Sequence, residues 1–276
     1  MDKLAIVTSG GGMACAFSAG VIGALVEVHK ITNPDIAIAS SGSSGNIAYY
    51  LAGQYSLGQR VWTELLSSES NFINTKRFFK GNIMDLDYLI DYIFKIVEPL
   101  DVNALKSQRT HFSIVVTDYE TGEAVYFDNK SEVDIFQVLK ASKAAPVVYN
   151  NPVIINNRRY IDGDISSSLE ERIDKALNEG AEKVLAIDNS QPLSQINSYF
   201  FNIYAKKAPE KLQQVIKKYF TTTCTKRDDP RIFYITPNQQ LPVGMLDNQR
   251  RKLERTIQMG YLITARNTKL KEFLTE

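Results

Sequence analysis

Leu4-Ala5-Ile6-Val7-Thr8-Ser9-Gly10-Gly11-Gly12 is an apolar, β-prone run that stops on three consecutive glycines. Further on, Ile36-Ala37-Ile38-Ala39 leads in the same way into Gly42-Ser43-Ser44-Gly45. A short apolar run, a turn of small residues and then an uncharged segment is the pattern of a buried strand feeding a buried helix. Leu4 to Val26 and Ala37 to Gln59 contain no charged residue at all. By length either stretch resembles a membrane span, but both are interrupted by glycine and serine clusters, and hydrocarbon leaves such turns without hydrogen-bond partners. No basic region followed by a continuous apolar core opens the chain, so a signal peptide is not expected.

Working outward, β-prone runs recur with helical segments between them. Lys3–Thr8, Ile36–Ser40, His111–Thr117, Ala124–Asp128, Lys183–Asp188 and Arg231–Thr236 read as strands. Ala19–His29, Gly45–Ser56, Asp134–Ser142, Glu171–Glu179 and Asp247–Arg266 read as helices. This alternation predicts an α/β fold with a mostly parallel sheet covered on both faces. Asp118-Tyr119-Glu120-Thr121-Gly122 predicts a hairpin turn that adds an antiparallel strand. Glu69 to Asp101 reads as an inserted pair of helices. Pro192 to Phe220 mixes Tyr199, Phe200, Phe201, Tyr204, Tyr219 and Phe220 with Lys206, Lys207, Lys211, Lys217 and Lys218. It reads as a surface helix packing its apolar side on the sheet, with peripheral membrane contact as the alternative. No repeat or linker divides the chain, so one domain is expected over 1–276.

The chain has 276 residues, 44% hydrophobic and 23% charged, enough to bury a large core. A net charge of +1 excludes the electrostatic footprint of a nucleic-acid binder. Cys15 and Cys224 make neither a disulfide framework nor a zinc spacing. They read as reduced buried thiols, with the cytoplasm as the expected compartment.

Two glycine-rich turns after strands can set a serine beside free backbone amides, which is what acyl transfer needs. In the pattern G-x-S-x-G, Gly42-Ser43-Ser44-Gly45-Asn46 makes Ser44 the candidate nucleophile, with Gly42 and Gly45 forming the elbow. The glycine loop fits an oxyanion hole built from Gly10, Gly11, Gly12 and Met13 better than a phosphate site. A dinucleotide fingerprint would need glycine where Cys15 stands, and no phosphate-loop lysine follows. His29 and His111 sit at a helix end and a strand start, away from the turns that follow strands, and read as structural. The remaining candidate for a base is Asp162, in Tyr160-Ile161-Asp162-Gly163-Asp164.

The order of these motifs resembles the patatin-like phospholipase family. Ala141-Ser142-Lys143-Ala144-Ala145-Pro146, Phe112–Asp118 with Thr121-Gly122, and Ala181–Asp188 are similar to further segments of that family. The resemblance runs over about Lys3 to Asp188, a motif-bearing core of about 3–190, and 191–276 is less diagnostic. It implies a three-layer α/β/α sandwich and a Ser-Asp dyad, here Ser44 and Asp162. It also implies metal-free and cofactor-free hydrolysis of fatty-acyl esters in phospholipids or related lipids, through an acyl-enzyme. The chain departs from the family at the site itself. Ala14 and Cys15 stand where arginine and glycine are frequent, Asn46 replaces the last elbow glycine, Asp164 the second glycine after the aspartate, and Glu170 a proline. A non-catalytic lipid- or acyl-binding protein of the same fold is the first alternative, and a nucleotide-binding protein the second.

Overall fold

The structure, a computed structural model, describes residues 2–80, 82–189, 204–221 and 226–275. Strands β1 (Leu4–Thr8), β2 (Ile36–Ala39), β3 (His111–Asp118), β4 (Ala124–Asp128), β5 (Val153–Ile155), β6 (Arg158–Asp162), β7 (Lys183–Ile187) and β8 (Ile232–Ile235) form one sheet. Its order is β5-β6-β3-β2-β1-β7-β8, with β4 paired to β3. The section β3-β2-β1-β7-β8 is parallel, while β4, β5 and β6 join antiparallel.

Strand periodicity assigns the two faces. Ala5, Val7, Ile36, Ile38, Val184 and Ala186 face one buried cluster, where Leu169, Ile173 and Ala176 of helix α6 (Leu169–Asn178) cover them. Ile6, Ala37, Ala39, Leu185 and Ile187 face the larger cluster on the other side. There α1 (Ala16–Glu27) and α2 (Ser41–Leu51) pack, followed by α3 (Tyr55–Arg60), α4 (Val102–Ser107) and α5 (Ile135–Ala141). Helices on both faces of a mostly parallel sheet are the expected α/β/α arrangement, and each buried Ile or Leu contributes about 1.5–3 kcal/mol.

Helix α7 (Glu210–Thr221) turns Leu212 and Ile216 onto Ile161 and Ile165 and leaves Lys211 exposed, as Lys206 and Lys207 are in the turn before it. Its described part is therefore a surface helix with its apolar side inward, while Tyr199, Phe200 and Phe201 lie outside the described residues. Helix α8 (Arg250–Ala265) crosses α1 so closely that a Cβ on Gly20 would lie 1.9 Å from the Ile257 carbonyl. A Cβ on Gly260 would lie 2.2 Å from that of Phe17. The chain then runs into α9 (Thr268–Thr275).

Two expectations need correction. The insertion is not a pair of helices. It holds one long wide-wound helix, Tyr88–Val97, preceded by short turns, because Asn71 adopts left-handed φ (57°) and Ile73 bridges to Met84. Strands β5 and β6 form an unforeseen hairpin, whose two-residue turn Asn156-Asn157 has φ of 49° and 62°. Asparagine tolerates that conformation, which is the one a two-residue hairpin requires. Among the described residues no helix is long and apolar enough to cross a membrane.

Candidate active site

Strand β2 ends at Ala39 and α2 begins at Ser41, so the chain turns sharply at Ser40 and Ser41. Ser41 has φ of 52°, a strained value for a residue with a side chain. That is the conformation of a strand-to-helix elbow, which exposes the hydroxyl above the sheet. It is held in place: the Ser41 amide donates to both the carbonyl and the Oγ of Ser142 at 3.0 Å, and Ser142 Oγ donates to Val115 O at 2.7 Å. Gly42 sits in a tight place, where a Cβ would lie 2.9 Å from Cys15 Sγ and 3.0 Å from Gly12 O.

The serine at the turn, whose hydroxyl meets Asp162, is Ser41; Ser44, the residue expected there, is displaced from it by three positions. Ser44 lies one turn into α2 and is fully buried. Its Oγ donates to Ser41 O at 2.7 Å and accepts from Lys143 Nζ at 2.6 Å. Read through the fold, the elbow pattern is Ala39-Ser40-Ser41-Gly42-Ser43, with alanine and serine in the two glycine places. Ser43 Oγ donates to Ser9 O at 2.8 Å and accepts from Asn189 Nδ2 at 3.0 Å, stitching the elbow to β1 and β7. Gly42 keeps its place beside the elbow serine. Gly45 instead lets Phe94 pack on α2, where a Cβ would lie 3.1 Å from the ring.

Strand register brings the aspartate to this serine. Ala39 pairs with Ile114, and Val116 pairs with Asp162, so Asp162 sits level with a residue two beyond the end of β2. Asp162 Oδ2 accepts a 2.8 Å hydrogen bond from Ser41 Oγ, and Oδ1 accepts from the Asp164 amide at 2.9 Å. The carboxyl group is 3% exposed. Burial, and then the neighbouring Asp164 carboxylate, push its pKa up to about 7, against the opposing Asp164 amide, Ser41 hydroxyl and Arg172 guanidinium.

The glycine loop is only partly available as an anion cradle. The Met13 amide donates to Met245 O at 3.0 Å and the Gly10 amide to Asp164 Oδ1 at 3.3 Å, so both are engaged. The amides of Gly11, Gly12 and Gly42 donate to no acceptor among the described residues. Gly11 (φ 144°) and Gly12 (φ 60°) adopt backbone conformations that a side chain would disfavour.

These groups open into one cleft. Gly11, Gly12, Ser41, Gly42 and Asp162 line its polar end, and Trp62, Leu66, Phe72, Leu86, Leu89 and Phe94 extend it as an apolar wall. Ser44 does not line it. Lys143 does, with Nζ bonded to Ser44 Oγ and, at 3.3 Å, to Leu139 O, and lying 5.9 Å from the centre of the Phe94 ring. Burial lowers its pKa to about 7, although Asp162 and Cys15 oppose that shift. Asn46 does not crowd the elbow. It lies on α2, accepting from Trp62 Nε1 at 2.7 Å and donating to Cys15 O and Ser18 Oγ at 2.9 Å. Burial pushes the Cys15 thiol up to about 12, leaving it an inert packing group. Among the described residues no group of three or more His, Cys, Asp or Glu could hold a metal ion.

The model of the patatin-like phospholipase family matches residues 6–173, which span β1, the elbow and the Asp162 turn, and the chain belongs to that family. An uncharacterized Escherichia coli (strain K12) protein, YjjU, is 24% identical over 191 residues, 67% of this chain and 51% of its own. The chain thus spans about half the length of that relative. Among solved structures, VipD from Legionella pneumophila is similar with a TM-score of 0.54 at 14% identity, over 99% of this chain and 67% of VipD. Human GIVD cytosolic phospholipase A2, in complex with methyl γ-linolenyl fluorophosphonate, is similar with a TM-score of 0.51 at 12% identity, over 99% and 58%. These two share the fold.

Proposed function

We propose that this protein is a serine lipid acyl hydrolase that cleaves fatty-acyl esters through Ser41 and Asp162. The observation that carries the reading is the 2.8 Å hydrogen bond from Ser41 Oγ to Asp162 Oδ2, at the mouth of an apolar cleft and beside unengaged amides. Ser41 Oγ attacks the ester carbonyl while its proton passes to Asp162, whose raised pKa lets it act as a base near neutral pH. The oxyanion that forms is held by the amides of Gly11, Gly12 and Gly42. Collapse of the tetrahedral intermediate breaks the ester C–O bond, and the proton on Asp162 leaves with the alcohol. A water molecule then adds to acyl-Ser41 with Asp162 again taking the proton, and the fatty acid and the free serine are released.

The acyl chain lies along the wall formed by Trp62, Phe72, Leu86 and Phe94, where burial of each methylene favours binding by about 0.8 kcal/mol. Family membership supports a lipid substrate. The test is fatty-acid release from phosphatidylcholine vesicles and from p-nitrophenyl esters of increasing chain length. Wild type releases acid with kcat/KM rising with chain length, and Ser41→Ala releases none. Acid release that persists in folded Ser41→Ala rules the assignment out.

A further inference from the structure

Asp164 and Arg172 take no part in the chemistry above, yet they sit where all of its loops meet. Asp164 Oδ1 accepts from Ser40 Oγ at 2.7 Å, from the Gly10 amide at 3.3 Å, and from Arg172 Nη2. Arg172, at 0% exposure the largest fully buried side chain among the described residues, also donates to Thr8 O at 2.7 Å and to Ser167 O. One ion pair thus joins the end of β1, the glycine loop, the residue before the elbow and the turn after Asp162. The fit is close: a Cβ on Gly10 would lie 1.7 Å from Asp164 Oδ2, so residue 10 must be glycine where 164 is aspartate.

Stability alone is a poor reason for such a pair. Desolvating a guanidinium costs several kcal/mol, and apolar replacements of buried ion pairs are often neutral or stabilising. What the pair supplies is fixed geometry, and catalysis is sensitive to displacements of about 1 Å.

We propose that Asp164 and Arg172 are a positioning pair that clamps the glycine loop, the elbow and the Asp162 turn into the arrangement in which Ser41 meets its base. The inference rests on the assignment of Ser41 and Asp162 above. It carries a second consequence through charge. Asp164 disfavours the ionised form of Asp162 and Arg172 favours it. Among the described residues Lys143, Cys15 and Tyr219 also feel Asp162, and none of them is substituted in the variants below.

The experiment follows the Asp162 carboxyl directly, by 13C NMR of aspartate-labelled protein with the signal assigned by its loss in Asp162→Asn, beside the pH profile of kcat/KM for a p-nitrophenyl ester. In Asp164→Asn the Asp162 titration midpoint falls, and in Arg172→Gln it rises, each by about one pH unit or more, with the acid limb of kcat/KM following. Opposite movement of the limb reads the charge linkage, and the loss of kcat on its pH plateau reads the positioning. The kcat of each falls more than KM changes, as expected when geometry is lost and binding is kept. Should either single variant fail to fold, Asp164→Asn/Arg172→Gln leaves no buried charge unpaired; it keeps the fold and loses roughly tenfold or more in kcat. Midpoints that stay put or move the same way in folded single variants overturn the proposal, as does wild-type kcat in the double variant. If wild type releases no acid at all while the midpoints move in opposite directions, the charge linkage stands and the hydrolase reading is what has failed.

Discussion

Two constellations of hydroxyl and carboxylate lie beside strand β3, one towards each end, and only one of them looks like a reaction centre. At its start, Asp128 Oδ2 lies 2.6 Å from His111 Nδ1, and His111 Nε2 lies 3.4 Å from Ser113 Oγ. That is the connectivity of a serine triad. Near its other end, Asp162 meets Ser41 with no histidine between them. The first has familiar residues and lacks everything else. Ser113 is 2% exposed, its backbone sits in the ladders to β2 and β4, and none of the three residues lines the cleft. The second lies past the carboxyl ends of β1 and β2, where open α/β sheets bind their ligands, with unengaged amides and an apolar wall around it. A reaction centre needs a reachable hydroxyl and a place for developing charge; connectivity among side chains is secondary.

The comparison can be broken most decisively at the two serines. Ser41→Ala is expected to lower kcat/KM by at least about 10⁴-fold. Residual activity above that floor, measured with a p-nitrophenyl ester, would mean another hydroxyl attacks.

Asp162→Asn comes next, with a loss of roughly 10²–10⁴-fold from removal of the base. It also makes a stability prediction of opposite sense. Burial pushes the Asp162 carboxyl up to about 7 in the fold, against about 3.8 for a carboxyl in the unfolded chain, so between those values the folded state holds a proton the unfolded state has released. Wild-type stability therefore falls as pH rises from about 4 to about 7, and Asp162→Asn lacks that loss. The difference in Tm between variant and wild type should open across this window and stay level above it. Thermal melts at several pH values give the answer, and a constant difference would place the carboxyl outside the proposed environment.

Ser44 and Lys143 sharpen the distinction between support and chemistry. Ser44→Ala removes an acceptor from a buried amine, which is expected to cost roughly 1–3 kcal/mol of stability, read by denaturant unfolding, and less than about tenfold in kcat/KM. A loss as large as that of Ser41→Ala would return the nucleophile to Ser44. Burial lowers the Lys143 amine to about 7 in the fold, against about 10.5 in the unfolded chain. The cost of burying its ammonium is thus fully present below 7 and fades as pH rises toward 10.5. Lys143→Met should gain most over wild type in Tm below pH 7, with the gain shrinking in alkali. The smallest effects belong to the other end of β3: Ser113→Ala and His111→Ala should hydrolyse esters at the wild-type rate in the same assay.

Much of this was readable from the chain. The apolar runs at Leu4–Thr8 and Ile36–Ala39, uncharged and bounded by glycine, identified the central strands because both faces of a parallel strand are buried and the pattern is continuous. Asp162 stood out for a similar reason, at the end of a β-prone run before a glycine that packs on Val115. The sequence pattern points to Ser44 while the fold puts Ser41 at the turn, because the serine-rich stretch Ser40-Ser41-Gly42-Ser43-Ser44 admits more than one register and the glycines at 42 and 45 favour the later one. The end of β2 at Ala39 was the available signal: an elbow serine must lie within two residues of its strand, and Ser44 lies five beyond. The engagement of the Gly10 and Met13 amides was not readable at all. Their acceptors, Asp164 and Met245, are distant in sequence and meet the loop only after folding.

The most direct test of the central claim is to label the protein with an alkyl fluorophosphonate and locate the adduct by peptide mass spectrometry, in wild type and in folded Ser41→Ala, Ser44→Ala and Ser113→Ala. A single adduct on Ser41 is expected, retained in Ser44→Ala and Ser113→Ala and absent from Ser41→Ala. An adduct on Ser44 or Ser113, or no adduct on folded wild type in the presence of vesicles, would contradict it.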